Sequence, residues 1–215
     1  MPRLSKAIAP LALALSAGWV AACDHVPAGA TIVGKLEVSE GNLNSAPELG
    51  MNADQARAAL QKALEATGRF AVREKRDDDR AARVRLEVEQ ARRVVAPPPT
   101  VNQGAAALDR EQAEVVVSLE LSAPNGKGDW DRLVAEGGAR RPTGAEAGAG
   151  PDPEARRAAF EAALEGAAHE ASTALAWQLE SRRKTDAELL RDLNATDARL
   201  RDYAVRALAE RRNPA

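Results

Sequence analysis

Val84, Leu86 and Val88 alternate with Arg85, Glu87 and Glu89. A period of two places the apolar side chains on one face of a strand and the charges on the other. This strand is expected to run toward Val95, where Pro97, Pro98 and Pro99 end it. The alternation returns in Val115, Val117, Leu119 and Leu121, reached from the triproline by a Gly- and Ala-containing loop. Asn125-Gly126 follows as a hairpin-turn signal, because these residues tolerate the positive φ that tight hairpins need. Trp130 to Gly138 then reads as the partner strand. Earlier in the chain, Thr31 to Val38 predicts a strand, Phe70 and Val72 predict a short one, and the polar stretch with Gly41, Asn42, Asn44 and Pro47 reads as a loop.

Elsewhere the period is helical. Ala56, Ala59, Leu60, Ala63 and Leu64 fall on one face of a helix over 52–67. Asn52 with Gln55 forms a capping-box-like pair at its start, and Gly68 stands where a helix stop is expected. Asp152 and Pro153 look like the cap and first position of a second helix. Its apolar stripe of Phe160, Leu164, Ala167, Ala171, Leu175 and Leu179 carries it to about Arg183, a rod of ~46 Å at 1.5 Å per residue. Thr185 and Asp186 open a short helix, and Asn194 to Asp197 turns the chain into a last one over 198–211. Ala139 to Gly150, rich in Gly, Ala and Pro, reads as a flexible linker. The pattern as a whole predicts an α+β fold: an antiparallel or mixed sheet of about five strands packed against two helices, with a C-terminal helical hairpin.

Composition narrows the partners. The chain has 30 basic and 32 acidic residues, a near balance without the basic stripe of a nucleic-acid binder. Aromatic residues are only 3%, so Ala, Leu and Val must fill the core. Cys23 is the single cysteine, so no disulfide forms within the chain and packing alone must hold it.

The amino-terminal segment has its own logic. Arg3 and Lys6 precede an apolar run from Ala7 to Val20, followed by Ala21-Ala22-Cys23. The run is about 14 residues, short of the roughly 20 that span a bilayer, and has the layout of a secretory leader. Val20-Ala21-Ala22-Cys23 resembles the lipobox of bacterial lipoproteins. The resemblance implies cleavage after residue 22 and acylation of Cys23, with 23–30 as a lipid-anchored tether. It places the chain in the cell envelope, facing the periplasm. Asp24 resembles an inner-membrane retention signal, which favours that membrane over the outer one.

Two further resemblances concern the body of the chain. Asp197, Leu200-Arg201, Ala204 and Ala207-Leu208, preceded by Leu189, Leu190 and Leu193, resemble a single HEAT repeat. In that family an Asp caps the second helix and the apolar positions pack on neighbouring repeats. One helix pair cannot bury its apolar face alone, so either the helix of 153–183 or a partner protein is expected to supply the neighbour. The run Ala59-Leu60, Ala63-Leu64, Thr67-Gly68-Arg69-Phe70-Ala71-Val72, followed by Ala81-Ala82-Arg83-Val84, resembles a superfamily of envelope lipoproteins. It includes the CsgG-like secretion-channel proteins, the lipoprotein activators of penicillin-binding proteins and the amino-terminal domain of the Tol–Pal translocation protein. Its pore-forming members insert extra membrane strands, and no comparable segment is seen in this sequence. The expected organisation is therefore 1–22 signal peptide, 23–30 tether, 31–183 α+β domain and 184–215 HEAT-like hairpin.

Candidate chemistry is thin. His25 and His169 lie far apart and form no zinc-type spacing. Asp77-Asp78-Asp79 lacks the later glycine and glutamate of a calcium loop. Gly126-Lys127-Gly128 lacks the phosphate-loop pattern, and Ser172 and Thr173 sit mid-helix without a nucleophile elbow. No catalytic group, metal ligand or cofactor is expected. The function expected is a non-enzymatic, membrane-anchored scaffold or protein-binding module for other envelope proteins, with Arg199, Asp202 and Arg206 as the candidate interaction face. The alternatives are a ring-forming structural subunit of an envelope complex, or a hydrolase or lyase on a helical-repeat scaffold.

Overall fold

The computed structural model describes residues 26–44, 50–73, 81–96, 110–124, 129–144 and 152–212. Five strands and five helices follow in the order β1 (Thr31–Val38), α1 (Glu40–Asn44), α2 (Ala53–Ala66), β2 (Phe70–Val72), β3 (Ala82–Ala96), β4 (Arg110–Pro124), β5 (Trp130–Pro142), α3 (Pro153–Arg183), α4 (Asp186–Asp192) and α5 (Ala198–Arg212). The fold is α+β.

The sheet is mixed, with strand order β2-β1-β3-β4-β5. β1 runs parallel to both β2 and β3, whereas β3, β4 and β5 form an antiparallel meander. Alternation explains the layering. Val84, Leu86 and Val88 of β3 and Val115, Val117, Leu119 and Leu121 of β4 are buried, as are Leu133 and Ala135 of β5. Their neighbours Arg83, Arg85, Arg132 and Val134 are exposed on the opposite face. Both long helices lie on the apolar face: α3 crosses β4 and β5, and α2 packs beside it over β1 and β2. A Lys62–Glu165 ion pair of 3.1 Å joins α2 to α3.

The helix starts follow their caps. The Asn52 side chain accepts from the Gln55 N–H at 2.9 Å, and the Gln55 side chain accepts from the Asn52 N–H at 3.0 Å. This capping box satisfies two donors that the first turn of α2 would otherwise leave without partners. Asp152 accepts from the Glu154 N–H, with Pro153 in the first turn of α3. The stop of α2 is at Gly68, whose φ of +66° is open to glycine and costly for other residues.

Two expectations are corrected. The polar segment read as a loop holds α1, because the Leu43 N–H donates to the Ser39 carbonyl at 3.2 Å and Leu43 is buried in the core. The expected linker of 139–150 begins too early: β5 continues to Pro142, with Ala139 opposite Val115 and Arg140 opposite Glu114. Thr143 extends the attachment, its N–H donating to the Glu111 carbonyl at 3.0 Å. Ala139 is small where α3 lies against it, since a Cβ at Gly166 would stand 3.0 Å from the Ala139 Cβ. The Asn125-Gly126 turn and residues 145–150 lie outside the described residues. The strands flanking that turn pair as a hairpin, Pro124 opposite Trp130.

The contact that sets the layer spacing is at Gly137. A Cβ there would stand 2.2 Å from the Ala167 carbonyl oxygen and 2.6 Å from the Ala171 nitrogen. One residue on, a Cβ at Gly138 would meet the Val116 Cγ2 at 3.7 Å and the Val115 carbonyl oxygen at 3.8 Å, both ordinary contacts. The pair gives a prediction. Gly137→Ala should destabilise the protein by about 1–3 kcal/mol, the range for overpacking, while Gly138→Ala should stay within about 0.5 kcal/mol. Urea unfolding of both variants checks this, and equal midpoints would contradict the close approach.

Candidate functional site

The residues named as an interaction face lie on α5. Arg206 pairs with Asp202 one turn back at 3.0 Å, and Arg199 reaches across to Glu170 of α3 at 3.9 Å. Arg199 and Asp202 therefore do not stand apart from the rest of the molecule. With Glu136, Glu170, Thr173, Ala174, Trp177, Ala198 and Tyr203 they line a groove of about 300 Å³ between α5, α3 and the edge of β5. Arg206 lies outside that lining, two-thirds exposed.

Trp177 and Tyr203 form the floor of the attachment. Their rings stack with centroids 6.5 Å apart and planes 9° from parallel. Burial pushes the Tyr203 hydroxyl above its ordinary pKa, ahead of the opposing influence of Arg206. These two residues were missed in the sequence. The signal was their scarcity, since the chain has three Trp and one Tyr, but stacking between helices cannot be read from spacing within either.

The turn into α5 is built as a cap. The Asp197 carboxylate accepts from the Arg199 N–H at 2.8 Å, and the Arg201 guanidinium donates to the Ala195 and Thr196 carbonyls. At the other end of α5, Arg211 donates to the Arg182 carbonyl at 3.1 Å, to the Lys184 carbonyl and to Asp186. A guanidinium on the last carbonyls of α3 meets the negative end of its dipole. Thr185 and Glu188 make a capping box at the start of α4. The backbone N–H and hydroxyl of Thr185 hold the Glu188 carboxyl below its ordinary pKa. Lys184 sits between Asp192 at 2.8 Å and Glu180 at 3.6 Å. Burial works against its charge, but the Asp192 hydrogen bond and the two carboxylates outweigh it and raise its pKa.

The free edge of β5 is partly occupied by α3. The Gln178 side chain donates to the Val134 carbonyl and the Glu170 carboxylate accepts from the Gly138 N–H, each at 3.0 Å. Such cover limits pairing with another strand edge.

A second, larger groove of about 490 Å³ opens where the sheet meets the end of α3. Ile32, Leu121, Leu133 and Leu179 supply apolar walls, and Asp131, Arg182 and Arg183 supply charge. Arg183 donates to the Gly29 carbonyl at 3.1 Å and to the Thr31 hydroxyl at 3.0 Å. It thereby fixes the turn by which the chain from Cys23 enters β1. Cys23, Asp24 and His25 lie outside the described residues, as do Asp77-Asp78-Asp79 and Gly126-Lys127-Gly128.

The remaining candidates are separated. His169 is exposed on α3, and its carbonyl accepts the Thr173 hydroxyl at 2.8 Å. Ser172 is buried, and its hydroxyl has no hydrogen-bond partner among the described residues. A serine nucleophile needs a base within hydrogen-bond reach, and none is there. Among the described residues no group of three or more His, Cys, Asp or Glu is placed to hold a metal ion. No described helix is long and apolar enough to cross a membrane.

One buried acid had no place in the sequence reading. Glu114 is 6% exposed on the polar face of β4, between Arg92 on β3 and Arg140 on β5. The Arg92 Nε donates to one carboxylate oxygen and the Arg140 Nε to the other, both at 2.6 Å. The three residues form a row across the strands, which only the register reveals.

No family model matches the chain, and no curated protein matches it. Solved structures include distant likenesses. One is a minor lipoprotein from Acinetobacter baumannii, at 12% identity and a TM-score of 0.39, covering 72% of this chain and 93% of that one. Another is a Xanthomonas campestris protein of family model DUF330, at 16% identity and a TM-score of 0.39, covering 71% of this chain and 88% of that one. The functional reading therefore rests on this chain's own residues.

The Glu114 row predicts a pH dependence. Hydrogen bonds from Arg92, then Arg140, hold its carboxyl below the ordinary value of 4.5. A carboxylate depressed in the folded state adds stability above its unfolded pKa and loses it as pH falls through the folded one. The stability gap between the wild type and Glu114→Gln should thus narrow as pH falls below 4.5. Urea midpoints across that window test it, and a constant gap would refute the charged row.

Proposed function

We propose that the protein is a non-enzymatic envelope lipoprotein, tethered to a membrane through acylated Cys23, whose C-terminal helix pair binds other envelope proteins. The observation that carries this reading is the division of the apolar interior. The α+β layer closes one core that includes Val33, Leu60, Leu86, Leu119, Phe160 and Leu175. The terminal helices keep a separate small cluster of Leu189, Ala204 and Ala207, flanked by Leu193 and Leu208. The helix pair is thus an appended module, presented outward with Leu190 and Val205 about half exposed on it.

The HEAT-like reading gives that module its role. A lone pair of this type leaves apolar surface uncovered, and α3 covers part of it through the Trp177–Tyr203 stack. The remaining surface, with Arg199, Asp202 and Arg206 beside it, is offered to a partner. The tether makes a modest surface effective, because confinement to one membrane raises the local concentration of bound partners. Two or more acyl chains, at ~0.8 kcal/mol per buried CH₂, hold such a tether stably. Support for the tether comes from the leader, the lipobox-like ending and the single cysteine.

Two experiments test the two halves. Cys23→Ser should move the protein from the membrane to the soluble envelope fraction, and a variant that stays membrane-bound would refute the anchor. Affinity capture from solubilised envelopes should lose its specific partners when 185–215 is deleted, and also in the folded double variant Leu190→Ser, Val205→Ser. Equal recovery from all three proteins would refute the helix pair as the binding surface.

A further inference from the structure

We infer that the end of the molecule at which the tether enters rests against an anionic phospholipid surface, with Arg83, Arg183 and Trp130 facing the bilayer. Several elements meet at this pole. β1 starts there at Thr31, whose N–H donates to the Arg69 carbonyl beside the start of β2. β3 starts there at Ala82, β4 ends there at Pro124, and β5 starts there at Trp130. α3 ends there, with Arg183 bound to Gly29 and Thr31. Arg211 brings the end of α5 onto the last carbonyls of α3.

The charges at this pole are not all spent. Arg69 pairs with Glu180, Arg182 with Asp131 and Glu210, Arg132 with Glu120, and Arg211 with Asp186. Among the described residues Arg183 engages a carbonyl and a hydroxyl and no carboxylate. Arg83 forms no close ion pair among the described residues, its charge reaching the Glu37 carboxylate only at longer range, and its guanidinium lies 5.5 Å from the ring centroid of Trp130. Trp130 is 44% exposed although the chain spends so few aromatics. A tryptophan exposed beside unspent arginines suits the headgroup region, where the indole lies at the interface and each arginine gains from anionic lipid. The orientation rests on the tether reading for its address, since the turn of Pro27 to Ala30 joins Cys23 to this pole. Its chemistry does not require the acyl chains.

The test uses the soluble chain of residues 24–215, which lacks the cysteine. Beyond the leader, with its Arg3 and Lys6, that chain carries a formal charge of −4, so overall charge opposes binding to anionic vesicles and only an oriented patch can drive it. The protein should co-sediment with phosphatidylcholine vesicles containing phosphatidylglycerol and not with phosphatidylcholine alone. Arg83→Gln should weaken the partition about fivefold, the equivalent of about 1 kcal/mol per arginine near an anionic surface. Trp130→Ala, a second exposed change, should weaken it as well. Arg157→Gln removes the same charge at the opposite end of α3 and should leave binding unchanged. Failure to bind the anionic vesicles, or equal losses in Arg83→Gln and Arg157→Gln, would overturn the inference. Either result would leave the Cys23 anchor standing, and failure of the Cys23→Ser fractionation would leave vesicle binding intact.

Discussion

Helix α3 lies so close to β5 that no side chain fits between them at Gly137. Much of the structure follows from that approach. At the closest approach the spacing admits no side chain at Gly137 and only alanines facing it, Ala167 and Ala171. Gly166 continues the seam, since a Cβ there would meet the Ala139 Cβ at 3.0 Å. Alanines in α3 let the helix lie flat on the strand at these positions. Alanine seams bury little area per residue, so the seam must be long, and a helix of 31 residues supplies it. Its far end in turn carries the Trp177 platform and the arginines beside the start of β1.

The elements with strict periodicity were legible in the sequence. The alternation of Val84 to Glu89 and of Val115 to Leu121 gave two central strands, and the Asn52–Gln55 box and the Asp152-Pro153 start placed both long helices within a residue of their ends. What was not legible depended on pairing across elements. The extension of β5 through Ala139 to Pro142 looked like a linker, because helix contact and flexibility both select small residues. The Arg92–Glu114–Arg140 row needed the strand register, which shifts between Val88 and Gln90. The Trp177–Tyr203 stack needed the position of one helix on another. Tertiary contacts of this kind leave no periodic trace in the local sequence.

The two apolar clusters imply a hierarchy of stability. The main core spans every strand and both long helices, whereas the terminal pair has three buried apolar residues, one ring stack, the Arg211 clamp and the ion pairs Arg199–Glu170, Arg182–Glu210 and Lys184–Asp192. Segments with few buried apolar contacts open at lower free energy than the core. A module of that kind can open without disturbing the layer that carries it.

Native-state hydrogen exchange, resolved by residue, tests that division most directly. Amides of β4 and of the middle of α3 should exchange only through global unfolding, with protection that falls steeply as denaturant is added. Amides of α5 should exchange through a separate opening of lower free energy and weaker denaturant dependence. If α5 and α3 instead exchange at one common free energy across the whole range, the terminal helices are part of the core unit and the account of them as an appended module is wrong.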